Sequence, residues 1–152
     1  MDHADFIKYI NNARNFNSHN GLKVTALRDE YCEVEAPVTV DSLNPQQVAH
    51  GSFVYALMDL ATGMASASTG RNMLTLDATV YYLRPGKGEK LRAVAEMIKS
   101  GRTTGLYEAR VYDDGDRLCA KGEFTVYFTG GEIDLDERRR RDAVLIEQME
   151  GE

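Results

Sequence analysis

The sequence has no long apolar run and no N-terminal targeting pattern. No stretch reaches about 18 apolar residues, the usual minimum for a transmembrane helix. The opening residues, MDHADFIKY, lack the basic segment followed by an apolar one that a secretory signal requires. We therefore expect no membrane partner and a cytoplasmic location.

Cysteine and histidine are scarce. Cys32 and Cys119 are far apart and form no C-x-x-C pair, and the 3 histidines show no metal-ligand spacing. This pattern argues against a disulfide framework and against a zinc site. We predict reduced, partly buried thiols and no metal.

Positive charge is also in short supply. The chain has 18 Lys and Arg against 24 Asp and Glu, which gives a formal net charge of -6. Nucleic-acid binding needs a basic face, so nucleic acid is not expected as a partner.

The chain is long enough for one domain with a real core. It has 152 residues, of which 43% are hydrophobic. We predict a single domain over 1–152, with a core at about 21–130, an N-terminal helix at about 5–15 and a helical tail at about 134–150. The tail contains the run ERRRRD, which is more typical of a solvated or oligomer-contacting helix than of a nucleic-acid arm.

Periodicity predicts one long helix and six strands. The helix covers 51–70, and the strands cover 22–27, 31–38, 73–84, 90–98, 103–112 and 117–128. In the strand at 73–84, strict alternation predicts that Leu74, Leu76 and Val80 share a core face, with Thr75 and Asp77 together on the other. The order of elements predicts an α+β protein.

Asp59 is the only charged residue of the helix at 51–70. Its face carries small or polar residues without Lys and Glu pairs, which suggests a helix covered by protein nearly all round. A carboxylate in such a place is either a general base or nucleophile, or an Asp satisfied by a neighbouring hydroxyl.

The start of this helix predicts a site that binds a developing oxyanion. Helix N-termini leave backbone N–H groups unpaired, and Gly51 lets a substrate carbonyl approach closely. His50 offers an imidazole at this end, and Asn44 offers a side-chain amide from the preceding turn. These are the parts of a carbonyl-activating site.

Asn44, His50-Gly51 and Asp59 together resemble the N-x5-H-G-x7-D pattern of the hotdog-fold acyl-CoA thioesterases, in particular the phenylacetate-pathway and 4-hydroxybenzoyl-CoA-thioesterase-like group. The strand TLDATVYYLRP that follows the helix is similar to the family's strand at this place. The resemblance covers roughly 21–130. It implies an antiparallel sheet of five or six strands wrapped around one central helix.

The resemblance also implies a site shared by two subunits. The protein would be a homodimer, and commonly a homotetramer, with acyl-CoA as the substrate and no other cofactor. Gly51 N–H would polarise the thioester carbonyl, and Asp59 from the partner subunit would activate water or attack directly. Asn44 and His50 would orient carbonyl and water, and Thr75 would help to position the nucleophile.

Two positions depart from the family's pattern. Family members usually have a second glycine where this chain has Ser52, and often a turn glycine where it has Gln47. Both substitutions alter the entrance to the oxyanion region and bear on rate and substrate preference.

Four cations lie at or near predicted strand ends and are candidates to bind the phosphates of coenzyme A. They are Arg84, Lys87, Lys90 and Arg102. If they converge they form a basic patch in an acidic protein; the alternative is scattered, solvated charge.

The predicted function is hydrolysis of an aryl or short- to medium-chain acyl-CoA to the free acid and coenzyme A. Tyr55, Met58, Tyr81 and Tyr82 are candidates to line an aromatic acyl pocket, and each is equally suited to a core. The alternatives are a hotdog dehydratase or hydratase, and a non-catalytic acyl-CoA-binding regulatory module.

Overall fold

The computed structural model describes residues 1–151 and contains one six-stranded sheet. No helix in this range is long and apolar enough to cross a membrane. The elements, in chain order, are α1 (His3–Asn12), α2 (Phe16–His19), β1 (Lys23–Arg28), β2 (Tyr31–Pro37), α3 (Gly51–Ala67), β3 (Arg71–Tyr82), β4 (Lys90–Ser100), β5 (Thr104–Tyr112), β6 (Leu118–Glu132) and α4 (Leu135–Glu150).

The strands run in the order β1-β2-β4-β5-β6-β3, and every neighbouring pair is antiparallel. The chain crosses from β2 to the opposite edge of the sheet through α3, so β3 is an edge strand. The predicted α+β architecture, with one long helix and a sheet of six strands, is confirmed.

Helix α3 packs against one face of the sheet and supplies the centre of the core. Leu57, Met58 and Ala61 have no exposed surface, and they pack in one cluster with residues of the sheet such as Val34 and Phe124. Burying a large apolar side chain stabilises the fold by about 1.5–3 kcal/mol. These contacts fix the position of α3 and of every side chain on its other faces.

Strand β3 does not have the core face that its sequence predicts. The pairing of β3 with β6 shifts between Thr75 and Asp77, and this bulge leaves Leu76 without a partner. Thr75 pairs with the buried Val126 on the helix side, whereas Asp77 pairs with Thr125 on the outer side. Thr75 and Asp77 therefore lie on opposite faces, because one extra residue reverses the alternation.

Leucines of this edge strand are exposed rather than buried. Leu74 and Leu76 keep 63% and 59% of their surface accessible. An edge strand has a row of backbone groups without partners and is rarely left long and apolar in a monomer. The apolar alternation of β3 thus marks a surface instead of the core of one chain.

The N-terminal segment contains a short helix that the sequence did not predict. The predicted helix at about 5–15 is α1, which already ends at Asn12, and α2 follows at Phe16–His19. Asn15 begins α2 with a reciprocal capping box to Ser18. Such a box stabilises even one turn of helix by satisfying its free N–H groups.

Helix α4 packs on α1 through polar contacts. The Tyr9 hydroxyl donates to Asp142 Oδ2 over 2.8 Å, and Arg139 forms an ion pair with Asp5 at 2.6 Å. Burial and the hydrogen bond to Asp142 raise the pKa of Tyr9 to about 12. The Tyr9 hydroxyl therefore keeps its proton, and with it this hydrogen bond, at physiological pH.

Candidate active site

Asp59 of α3 and Thr75 of β3 meet where the helix crosses the edge strand. The Thr75 hydroxyl donates a hydrogen bond to Asp59 Oδ1 over 2.9 Å. Asp59 is half-buried, and Thr75 is exposed. The contact depends on the bulge in β3, which begins directly after Thr75 and leaves this residue on the helix side of the strand.

A groove of about 660 Å³ surrounds this contact, and we call it the carboxylate groove. The exposed side of α3 forms its floor, and α1, α2, β3 and α4 form its walls. It is lined by Phe6, Ile10, Phe16, Asn17, Ser52, Tyr55, Ala56, Asp59, Leu60, Gly63, Met64, Ala67, Met73, Leu74, Thr75 and Arg138. Its size and its apolar wall with few polar groups are those of a small-molecule site.

The groove corrects one prediction about α3. We expected the face of Asp59 to be covered by protein nearly all round, yet Ser52 is exposed and Asp59 lies open to the groove. The Lys and Glu pairs of a solvated face are missing because this face lines a cavity. The hydroxyl that satisfies Asp59 is that of Thr75.

Tyr55 stands one helical turn before Asp59 in the same groove. Its ring packs on Phe124 with centroids 5.4 Å apart. Burial raises the pKa of Tyr55, and the negative charge of Asp59 raises it further. Tyr55 therefore remains a neutral hydroxyl beside the carboxylate and offers a donor to a bound ligand.

The start of α3 lines a second cavity of about 360 Å³, which we call the amide pocket. Its lining includes Asn44, Gly51, Tyr82 and Arg84. The backbone N–H of Gly51 has no hydrogen-bond acceptor within residues 1–151. The Tyr82 hydroxyl donates to the Gly51 carbonyl over 3.1 Å and holds the helix end in place.

His50 is the N-cap residue of α3, and its side chain makes the capping hydrogen bond. Its Nδ1 accepts from the backbone N–H of Ser52 over 3.0 Å and also contacts the Ser52 hydroxyl. A helix cap of this kind satisfies one of the free N–H groups at the helix end. The structure thus places His50 and Ser52 in contact with each other and gives His50 a structural role.

Asn44 holds the loop that leads into α3. Its Oδ1 accepts from the backbone N–H groups of Gln46 at 3.0 Å and Val48 at 3.3 Å. Gln47 in the same loop has a φ of 58°, in the left-handed region that favours glycine. A glycine at this position would adopt the same conformation without strain.

The two cavities hold different halves of the predicted site. Asp59 follows Gly51 by eight residues of helix, which separates them by roughly 12 Å along the helix axis. One thioester carbonyl cannot contact both groups at this separation. Within one chain, Asp59 and Thr75 come together, Asn44 and Gly51 come together, and the two pairs remain apart.

The four predicted phosphate-binding cations do not converge in one chain. Lys90 and Arg102 flank opposite ends of β4, roughly 30 Å apart at the rise of a β-strand. Lys90 is paired with Glu35 at 2.9 Å. Arg84 lines the amide pocket, and Lys87 follows it in an exposed loop.

Sequence reasoning located some groove residues and missed others. Of the proposed aromatic pocket, Tyr55 lines the carboxylate groove and Tyr82 lines the amide pocket. Met58 is fully buried in the core, and Tyr81 lies on the outer face of the sheet opposite Lys121. Arg138 in the carboxylate groove was missed, because it comes from the tail and no local pattern links it to Asp59.

Comparison with known proteins shows the family of the chain. Residues 46–120 match the thioesterase superfamily model. A putative esterase of Archaeoglobus fulgidus is 32% identical over 106 residues, which cover 69% of this chain and 69% of that protein. The chain belongs to the thioesterase superfamily. The family resemblance and the class of enzyme, a thioester hydrolase, are thereby confirmed.

Solved structures of similar proteins confirm the predicted hotdog fold. The structure of Escherichia coli PaaI, from the phenylacetic acid degradation operon, has a TM-score of 0.78 and 26% identity, and the match covers 87% of this chain and 93% of that one. A Streptococcus mutans protein bound to acetyl CoA has a TM-score of 0.73 and 28% identity, with 80% and 97% covered.

Proposed function

We propose that this protein hydrolyses acyl-CoA thioesters to the free acid and coenzyme A. The observation that carries the proposal is the Asp59–Thr75 contact in the apolar groove of a thioesterase-superfamily fold. Two similar proteins support the choice of substrate. Escherichia coli PaaI is named an acyl-coenzyme A thioesterase, and the Streptococcus mutans protein was solved with acetyl CoA.

Asp59 acts as the general base. It takes a proton from a water molecule while the water oxygen attacks the thioester carbonyl carbon. The tetrahedral intermediate then collapses, the C–S bond breaks, and the thiolate of coenzyme A leaves and takes up a proton. Thr75 orients the carboxylate by donating to Oδ1, which leaves Oδ2 to face the water. Direct attack by Asp59 on the carbonyl is the covalent variant of this step.

The unpaired N–H of Gly51 binds the oxyanion of the intermediate. A backbone donor at a helix N-terminus is already oriented and is favoured by the helix dipole. In this proposal Asn44 keeps the loop in shape, and His50 keeps the first turn capped, so both position the donor without touching the carbonyl.

The complete site needs two chains. Asp59 is roughly 12 Å from the Gly51 of its own chain, so we place it opposite Gly51 of the partner subunit. The unpaired edge of β3 supports a homodimer in which two copies of this strand lie side by side. A twofold axis there creates two equivalent sites. The homotetramer and the cytoplasmic location stay predictions.

Arg84 and Lys87 are the cations that we assign to the phosphates of coenzyme A. Arg84 lines the amide pocket beside Gly51, and its Nη1 donates to the Leu118 carbonyl at 3.0 Å, which fixes its position. Coenzyme A enters as part of the substrate, and the proposed chemistry uses no other cofactor.

Thiol release across aryl-, short- and medium-chain acyl-CoAs tests this function. Cys32 and Cys119 are buried free thiols, and burial raises the pKa of each, so they give little background with a thiol reagent. We expect release by the native protein and a loss of about a hundredfold or more in Asp59→Asn. The amide retains the Oδ1 acceptor for Thr75.

Equal rates for the native protein and Asp59→Asn would remove Asp59 from the mechanism. Loss of enoyl absorbance from a 2-enoyl-CoA without thiol release would indicate a hydratase. Binding without turnover would indicate a regulatory module.

A further inference from the structure

Arg138 brings a positive charge into the carboxylate groove. It lies near the start of α4 and is half-buried, and its Nη2 donates to Asn72 Oδ1 over 2.7 Å. Its neighbour Arg139 pairs with Asp5 and Asp136, whereas Arg138 has no carboxylate partner within residues 1–151. A cation near the N-terminal end of a helix is opposed by the helix dipole. Arg138 is therefore not explained by the stability of α4.

Arg138 lines the groove at a distance from Asp59. Its partner Asn72 precedes Thr75 by three residues on β3, which is roughly 10 Å at the rise of a strand. The groove follows α3 in the same direction, from Asp59 to Ala67. Asn72, the partner of Arg138, thus lies about one short acyl chain from Thr75 along β3.

The groove wall between the Asp59–Thr75 contact and Arg138 is apolar and leaves space for a ligand. Leu60, Met64 and Met73 line it. Gly63 lies in the middle of α3, and a Cβ built there would meet only Met73 Sδ, at 3.9 Å. Glycine within a helix costs roughly 0.5–1 kcal/mol relative to alanine, so the space that it leaves is retained against a local preference.

We propose that the groove selects acyl groups that end in a carboxylate, that is, the CoA thioesters of dicarboxylic acids. The methylene chain lies on the apolar wall, and Arg138 binds the terminal carboxylate. Arginine suits this role because its planar fork of donors matches a carboxylate. This inference rests on the proposed function, since it needs the thioester carbonyl beside Asp59.

A phosphate of coenzyme A is the other anion that Arg138 can bind, and the structure favours the acyl carboxylate. The amide pocket, with Arg84, lies at the N-terminal end of α3, whereas Arg138 is near its C-terminal end. The amides of the pantetheine arm would also be left without partners on a wall made by Leu60, Met64 and Met73.

Two non-hydrolysable thioethers test the proposal independently of catalysis. S-(5-carboxypentyl)-CoA and S-hexyl-CoA differ in their terminal group and lack the carbonyl. We expect the native protein to bind the acid about tenfold or more tightly than the hexyl compound, as measured by calorimetry. Arg138→Met should abolish this difference and leave the Kd for S-hexyl-CoA within about twofold. Arg138→Lys should keep part of it.

Arg140→Met is the matched control, since Arg140 is exposed on the same helix and does not line the groove. It should keep the preference of the native protein. Equal affinity of the native protein for the two compounds, or an unchanged preference in Arg138→Met, would overturn the proposal. Weaker binding of both compounds to the same degree would assign Arg138 to coenzyme A and also overturn it. Failure of thiol release, with the preference intact, would refute hydrolysis alone.

Discussion

Thr75 donates its hydroxyl hydrogen to Asp59 Oδ1 over 2.9 Å, and this bond joins the central helix to the edge strand of the sheet. It fixes the direction of a half-buried carboxylate in an apolar groove. The bulge that follows Thr75 makes the contact possible, because it leaves this residue and the later Ala78 on the same, helix-facing side.

Thr75→Val should reduce kcat by about ten- to a hundredfold and leave KM nearly unchanged, since one hydrogen bond to a charged group is removed from a positioning residue. Thr75→Ser should retain most of the rate. Thr79→Val on the outer face of β3 is the control, as Thr79 pairs with Glu123 away from the groove. A change confined to KM would show that Thr75 binds substrate instead of orienting Asp59.

Gly51→Pro should remove the oxyanion donor without breaking the helix. Proline is favoured at the first position of a helix, and His50 before it has the extended ψ of 139° that proline requires. We expect kcat to fall by about 10² to 10³ with the melting temperature little changed. Gly51→Ala keeps the N–H, and its Cβ would lie 3.5 Å from the Tyr82 ring, an ordinary contact, so it should stay active. An active Gly51→Pro variant would exclude the Gly51 N–H as the oxyanion donor.

Leu76→Lys should dissociate the proposed dimer. Leu76 lies in the bulge of the edge strand, 59% exposed in one chain, and a charge there would be buried between two chains. We expect the dimer Kd to rise by about a hundredfold or more, and activity to fall with it. Light scattering over a concentration series measures this change. Ile98→Lys, at an exposed apolar residue of β4, is the control. A native protein that is monomeric at micromolar concentration would contradict the shared site.

Gln47→Gly should stabilise the protein by up to about 1 kcal/mol, because glycine adopts the observed φ of 58° without strain. Gln46→Gly has no positive φ to relieve and should be neutral or destabilising. Denaturant unfolding of the two variants compares them directly. A lower free energy of unfolding for Gln47→Gly would mean that the Gln47 side chain stabilises the loop.

The sequence predicted the central helix, the strands and the candidate residues of α3 because these depend on local periodicity and on a compact motif. These local patterns could not predict that the helix face of Asp59 lines a groove, or that β3 is exposed. Leu74, Leu76 and Val80 alternate without interruption, so nothing local reveals the bulge that puts Thr75 and Asp77 on opposite faces. An apolar edge strand and a core strand have the same pattern.

The position of Arg138 lies beyond sequence reasoning for a different reason. Arg138 reaches Asn72 across 66 positions of the chain, which only the docking of α4 decides. The distance between Gly51 and Asp59 can be counted from the sequence once both are placed in one helix. It then predicts that a single chain cannot complete the site.

The central claim, a site built from Asp59 of one chain and Gly51 of the partner subunit, is tested most directly by complementation. Asp59→Asn and Gly51→Pro chains, each inactive alone, are co-expressed with different tags, and the mixed dimers are purified and assayed for thiol release. In a mixed dimer one of the two sites carries both changes and the other carries neither. A shared site predicts that purified mixed dimers recover about half of the native activity. Mixed dimers as inactive as their parents would contradict it and place both groups within one chain.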